Sequence, residues 1–265
     1  MNKKIAIVTG GTSGIGKATA LALRGAGYTV YEFSRREAGV EGLHHIRADI
    51  TDETQVRAAV QQVMDAEGQI DVVVNNAGFG ISGAVEFTDT ADAQRLFNAD
   101  FFGMVRVNRA VIAHMRAAGR GRIVNLSSVA GPLPIPFQTY YSAAKAAVNA
   151  YTMALANELR PFGITVCAVQ PGDIHTGFTA AREKTVTGDE VYGGRISRSV
   201  SRMEHDEQTG MDPAKAGAYI AKVALRERSH HPLYAIRADY KFFVFLSKIL
   251  PAQALNRLIY AIYAK

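Results

Sequence analysis

The chain has 265 residues, 48% of them hydrophobic, which is enough for one large α/β unit whose sheet is covered on both faces. A single cysteine, Cys167, excludes an internal disulfide, fits a reducing compartment, and within the apolar run Ile164–Val169 reads as a buried structural thiol. Net charge is +6, but residues 226–265 carry seven basic and two acidic residues while the rest is nearly neutral, so no nucleic-acid platform is expected.

The first apolar run, Lys4–Thr9, reads as a strand; its core, Ile5–Val8, is too short for a signal segment and ends in glycines, so a cytoplasmic protein is expected. Further β-branched runs follow at Thr29–Ser34, His44–Ala48, Ile70–Asn75, Arg122–Ser127, Ile164–Gln170 and Pro232–Ile236. Helical patterns lie between them near residues 15–26, 52–67, 89–119, 141–161 and 212–226. Asp52 and Asp212 read as N-caps, the second followed by Pro213 at the first helical position. Alternating strands and helices imply a single-domain, Rossmann-type doubly wound parallel sheet of about seven strands with helices on both faces, spanning residues 1–265. Residues 175–211 show little period and read as a lid. Residues 237–265 form an apolar, basic extension.

Chemistry concentrates in two places. Thr9-Gly-Gly-Thr-Ser-Gly-Ile-Gly16 joins the first strand to a helix, and Gly10, Gly14 and Gly16 would let the backbone, with Thr12, Ser13 and Ile15, close around a pyrophosphate. Tyr141 and Lys145, four apart, share a helix face and set an ammonium beside a phenol. A phenol titrates near pH 10, and a neighbouring positive charge moves it toward the working range. With the Ser128 hydroxyl opposite, the trio suits proton transfer to or from an alcohol. Tyr140 and Ser127 are decoys by spacing and position.

Six motifs in order resemble the short-chain dehydrogenase/reductase family. They are Thr9–Gly16, Asp49-Ile50, Asn75–Gly78, Gly121–Ser128, Tyr141–Lys145 and Pro171-Gly172. The resemblance covers residues 4 to about 225. It implies a nicotinamide dinucleotide with Asp49 and Ile50 at the adenine, Asn76, Ala77 and Gly78 along the cofactor, and Pro171, Gly172, Ile174 and Thr176 at the carboxamide. It further implies that Tyr141 is the acid-base, that Ser128 holds the substrate oxygen, and that Lys145 binds the nicotinamide ribose and lowers the tyrosine pKa. Asp100 stands where the family usually has an asparagine that anchors a relay water; it is expected to hold that water as an acceptor, or else to shift the pH optimum. Asn98 cannot replace it, because two helical steps turn a side chain by about 200°.

At the end of the second strand, Ser34 takes the place of the carboxylate of NAD-selecting relatives, and Arg35 follows. A guanidinium can pair with a 2′-phosphate, so NADP(H) is expected over NAD(H). Glu32 is set back along the strand. The apolar residues of 132–137 and of the lid favour a hydrophobic alcohol or carbonyl substrate. Arg195, Arg198 and Arg202 read as a solvated lid face. In the extension, Leu255, Leu258, Ile259 and Ile262 form an apolar stripe that would cover the pocket, meet a subunit or touch a membrane surface. The extension resembles the steroid- and retinoid-oxidising branch, and the family commonly forms homodimers or homotetramers. No metal site is expected. Two alternatives stay open: a non-catalytic nucleotide sensor or scaffold on this fold, and a reductase of small polar carbonyls.

Overall fold

A computed structural model describes residues 3–265. Strand β1 (Lys4–Thr9) leads into helix α1 (Gly14–Gly25), followed by β2 (Tyr28–Ser34), β3 (His44–Arg47), α2 (Glu53–Glu67) and β4 (Val72–Asn75). A short β5 (Ile81–Ser82) precedes α3 (Thr90–Phe97), a π-helical turn over Asn98–Gly103, and α4 (Met104–Ala118). Then come β6 (Gly121–Leu126), α5 (Thr139–Leu159), β7 (Ile164–Gln170), α6 (Phe178–Ala181), β8 (Glu183–Lys184) and α7 (Arg195–Gln208). Helix α8 (Pro213–Ala224), β9 (Leu233–Ala235), α9 (Ala238–Ile249) and α10 (Ala252–Tyr263) complete the chain.

Seven strands form one sheet in the order β3-β2-β1-β4-β6-β7-β9, every pairing parallel. The order reverses at β1, where β4 pairs on one side and β2 on the other, and ligands of such sheets bind beyond the strand ends at that point. Val72, Val73 and Val74 are wholly buried because helices cover both faces. Alternate β1 residues divide between two cores. Ile5 and Ile7 pack with Val56, Val60 and Val107 of α2 and α4, while Ala6 and Val8 pack with Leu23 and Ile220 of α1 and α8. Each such Val, Ile or Leu contributes about 1.5–3 kcal/mol on burial.

Both expected caps form: Asp52 accepts from the amides of Thr54 and Gln55, and Asp212 from those of Ala214 and Lys215. Cys167 is buried beneath Arg122, whose Nη2 lies 3.0 Å from the sulfur, and burial pushes its thiol up to about 11. That suits a structural thiol. Residues 175–211 contain a 14-residue helix, α7, where little period was expected. Only Ile196, Ser199, Val200 and Met203 turn inward, so its apolar stripe is thin amid charge. Arg195, Arg198 and Arg202 lie on its solvated side: Arg195 bonds the Tyr192 carbonyl, Arg198 the Gly193 carbonyl, and Arg202 pairs with Asp206.

The extension breaks at Pro251 into α9 and α10. Of the stripe expected along α10, Ile259 is buried, whereas Leu258 and Ile262 are exposed. No helix among the described residues is long and apolar enough to cross a membrane.

Candidate active site

The glycine loop closes the C-terminal end of β1 by geometry that glycine alone permits. Gly10 and Gly14 have φ of +66° and +52°, in the left-handed region. A Cβ on Gly16 would stand 2.2 Å from the Gly10 carbonyl oxygen and 2.4 Å from Asn76 Nδ2. Asn76 fastens this turn to β4: its Nδ2 donates to the Thr9 carbonyl at 3.0 Å, and its backbone amide donates to Thr9 Oγ1 at 3.0 Å. The Ala77 amide donates to the same hydroxyl. Across the cradle, Thr176 lies 3.5 Å from where a Gly14 Cβ would be and so faces the loop, whereas Ile174 is buried and bridges to Met211. Thr12 is partly buried, Ser13 is exposed, and Ile15 turns into the core.

The rim of the cradle carries Ser34 and Arg35, the residues expected to select the cofactor. Ser34 Oγ is buried without a partner, and Arg35 beside it is exposed. Glu32 does not reach this rim. It is buried under Gly11, whose Cβ would meet its Cβ at 2.5 Å, and one carboxyl oxygen is held by His45 Nδ1 at 2.5 Å. Burial pushes its carboxyl up, against the pull of His45. Asp49 Oδ1 accepts from the amide and hydroxyl of Thr51, both at 2.8 Å, and Ile50 packs on Gly103. Pro171 and Gly172 follow β7, and Gly172 is covered by the Tyr240 ring, which a Cβ would strike at 2.1 Å. Thus α9 closes over the end of the cradle.

Ser128, Tyr141, Lys145 and Asp100 converge beside it. Ser128 follows β6, and its Oγ accepts from the Ala130 amide at 3.1 Å and donates to the Pro171 carbonyl at 3.4 Å. Tyr141 and Lys145 stack on α5, with Lys145 Nζ 5.3 Å from the tyrosine ring centroid. Ser127 instead donates to the Lys145 carbonyl, and β6 ends one residue before it. Asn98 accepts from Arg106 at 2.7 Å, away from the trio.

Asp100 meets Lys145 directly. Its Oδ2 lies 2.9 Å from Nζ, an ion-pair contact outside hydrogen-bond angles, while Nζ donates to the Leu126 carbonyl at 3.2 Å. The second oxygen, Oδ1, accepts from the Phe79 amide at 2.9 Å. The residue sits in the π-helical turn, whose extra residue per turn aims a side chain that a regular helix would direct elsewhere. Gly78 is fixed by this carboxylate: a Cβ there would lie 2.8–2.9 Å from its oxygens. Both members are buried, 3% and 5% exposed, so the charges exist only as a pair.

The electrostatics differ from a simple lysine-lowered phenol. Burial raises the Tyr141 pKa; Lys145 lowers it, Asp100 raises it again, and Ser128 and Arg182 give smaller lowering. The net direction is upward, because burial and the carboxylate outweigh the ammonium. Burial likewise raises Asp100 despite Lys145 and the Phe79 amide. For Lys145, burial pulls downward, but Asp100 and Tyr141 outweigh it and its pKa lies above the ordinary lysine range.

Two aromatic side chains from the apolar segments expected to line the substrate side, Phe178 and Phe137, lie near the tyrosine end of α5. Phe178 of α6 tilts over Tyr141 with ring centroids 5.9 Å apart, and the Arg182 guanidinium lies 5.6 Å from the Phe178 centroid. Phe137, which precedes α5, has φ of +60°, and its carbonyl accepts from Gly83. A non-glycine residue held there is strained, and it fixes the approach to the tyrosine.

The short chain dehydrogenase family profile matches residues 4–187. A "3-ketodihydrosphingosine reductase" of Bacteroides thetaiotaomicron is 43% identical over 232 residues, 86% of each chain. The structure of a short-chain dehydrogenase from Streptomyces avermitilis superposes with a TM-score of 0.83 at 32% identity, covering 97% of this chain and 94% of that one. The structure of ElxO with NADP bound gives a TM-score of 0.75 at 28% identity, covering 91% of this chain and 100% of the other. With its parallel sheet, its glycine cradle and this breadth of similarity, the chain belongs to the short-chain dehydrogenase/reductase family, whose members are NAD(P)(H)-dependent oxidoreductases of alcohols and carbonyls.

Proposed function

We propose that the protein is an NADP(H)-preferring reductase of ketones carried on long apolar chains, and that it acts through Tyr141. The convergence of Tyr141, Lys145 and Ser128 at the cradle mouth carries this reading. Bound in the cradle, the nicotinamide supplies the hydride. Ser128 Oγ holds the substrate oxygen, and Tyr141 Oη gives its proton to that oxygen as charge develops on it; the reverse transfer serves oxidation. Lys145 stabilises the phenolate left behind and is placed for the ribose hydroxyls. Asp100 anchors the ammonium and tempers its effect on the tyrosine. A phenol kept above its ordinary range holds its proton at neutral pH, which suits donation.

The pocket walls favour a lipidic ketone. Phe79 and Phe178 lie against Tyr141, Phe137 and Tyr192 pack edge to face in a separate apolar cluster, and the Bacteroides relative is by its name a reductase of a ketone on a sphingoid chain. The outer face of α9 presents Phe242, Phe245 and Ile249, 57–59% exposed, at i, i+3 and i+7 beside Lys241 and Lys248. That face suits peripheral contact with an anionic bilayer, where such substrates reside. Loss of NADPH absorbance with a panel of long-chain 3-keto lipids, steroid ketones and short polar carbonyls tests the reading. Cofactor binding without turnover of any ketone would overturn it in favour of a nucleotide sensor.

Cofactor preference rests on Arg35 and on the unpartnered Ser34 hydroxyl. Arg35→Ala is expected to raise KM for NADPH about 10–100-fold, the scale of a charge-assisted pair, with little change for NADH. Equal changes in steady-state kinetics with the two cofactors would refute the assignment.

A further inference from the structure

Tyr240 of α9 ties the C-terminal extension to the segment that runs between Ser128 and the glycine loop. That segment begins after β7. Its first carbonyl, on Pro171, accepts from the Val129 amide at 2.9 Å and from Ser128 Oγ at 3.4 Å, and Thr176 at its far end faces Gly14. A dinucleotide reaching from the glycine loop to Tyr141 must therefore lie along residues 171–176. Tyr240 grips the same stretch in two ways. Its ring atoms stand 2.1–2.5 Å from where a Gly172 Cβ would be. Its hydroxyl donates to Asp173 Oδ2 and accepts from the Asp173 amide at 3.3 Å. The ring also packs on the apolar cluster of Val129, Ala235 and Val244, and Val129 is the residue after Ser128.

A packing role alone does not account for this arrangement. Of the residues of α9, Val244 alone is buried, so little else fixes the helix here. A phenylalanine would cover Gly172 equally well. The phenol adds a bond to a carboxylate, which sets the segment in one register against α9. The chain is also bent to deliver it. Arg237, the N-cap of α9, has φ of +69°, and its guanidinium lies 5.0 Å from the Tyr240 ring centroid. A non-glycine residue persists in that conformation only where its surroundings impose it, and such strain gathers at functional sites. Gly172 is required by the same contact, since any side chain there would displace the ring.

We propose that Tyr240 is a positioning residue for the nicotinamide half of the cofactor: it holds residues 171–173 in the conformation that receives this half, and it keeps Ser128 in register through the Pro171 carbonyl. The C-terminal extension is then a working part of the site. This rests on the cofactor reading above and deepens it. Tyr240 acts through Gly172 and Asp173, not on the reacting atoms. Its effect is confined to one end of the cradle, because Ser34 and Asp49 follow β2 and β3 on the other wing of the sheet.

Calorimetric titration with NADPH and with its adenosine-half fragment, 2′,5′-ADP, tests this without turnover. Tyr240→Phe keeps the ring over Gly172 and removes the bond to Asp173. NADPH should then bind about 10-fold more weakly, the scale of one hydrogen bond to a charged group, while affinity for the fragment stays within about twofold. NADH against ADP should split in the same way, whichever cofactor the protein prefers. Asp173→Ala removes the other end of the bond and should cost NADPH a similar factor, and the double variant should lose no more than either single one. Equal weakening of NADPH and the fragment, as a general lesion of the fold would give, overturns the proposal. So does NADPH affinity that is unchanged or higher in Tyr240→Phe, and so do additive losses in the double variant. A native protein that binds NADPH no more tightly than the fragment, and NADH no more tightly than ADP, refutes the cofactor reading and the proposal together. Turnover of no ketone, with the split intact, refutes the reductase reading alone.

Discussion

Replacing Tyr141 by phenylalanine is expected to lower kcat about 10³-fold while leaving the Kd for NADPH within a factor of about three. The variant removes one oxygen from a ring that otherwise packs on Phe178 and on the apolar cluster of Ile81, Leu96 and Ala144, so the wall of the pocket survives. What is lost is the proton. Ser128 cannot replace it, because a serine hydroxyl is far too weak an acid. Tyr140, the adjacent phenol, points to a different side of α5, since one helical step turns a side chain by about 100°. Rapid-mixing measurement of NADPH consumption, with cofactor affinity from fluorescence titration, separates the two effects. A loss under tenfold would mean that Tyr141 is not the proton donor; a parallel loss of cofactor binding would mean that the substitution damages the cradle.

The elements set by strong local rules were legible in the sequence. The inner strands β1, β4, β6 and β7 read as compact apolar runs because each is buried on both faces, and the caps at Asp52 and Asp212 were visible because a carboxylate satisfies free helix amides wherever it stands. Glycine was equally readable at Gly10, Gly14 and Gly16, where a side chain is excluded by the turn itself. Other features depend on contacts between distant segments and leave no periodic trace. Helix α7 turns only four residues inward among many charges, so its period is hidden. Arg182 looks like one more solvated lid charge until Glu207 and Gln138, 25 and 44 positions away, close around it. The sign of the Tyr141 shift was likewise out of reach: spacing supplied the lysine, but burial and the position of Asp100 decide the balance. Asp100 itself was noticed as a departure in residue type; its direct contact with Lys145 follows from the π-helical turn, which no pattern in residues 98–103 announced.

The Lys145–Asp100 pair should respond asymmetrically to the loss of each partner. Lys145→Met leaves an uncompensated carboxyl in a site where burial already raises its pKa, and breaking such a pair costs about 3–5 kcal/mol. The sign follows from proton binding. A buried acid with a raised pKa is destabilising in its charged form, so the cost is small near and below the ordinary carboxyl value of 3.8 and grows as pH rises through the raised one. The methionine variant should therefore approach native stability in acid and fall furthest behind at neutral pH. Adding Asp100→Asn removes the buried charge and should recover most of the stability without recovering activity, because no ammonium remains beside the phenol. Asp100→Asn alone should keep activity and lower the Tyr141 pKa, since the carboxylate that raises it is gone. The proton-dependent limbs of both reduction and oxidation would then move toward acid by about one pH unit, the smaller end of the range for a charge at this distance. Thermal melts across pH and paired pH-rate profiles read these effects independently. A double variant no more stable than the single one would show that the ion pair does not govern the site, and unmoved limbs in Asp100→Asn would show that the carboxylate does not reach the tyrosine.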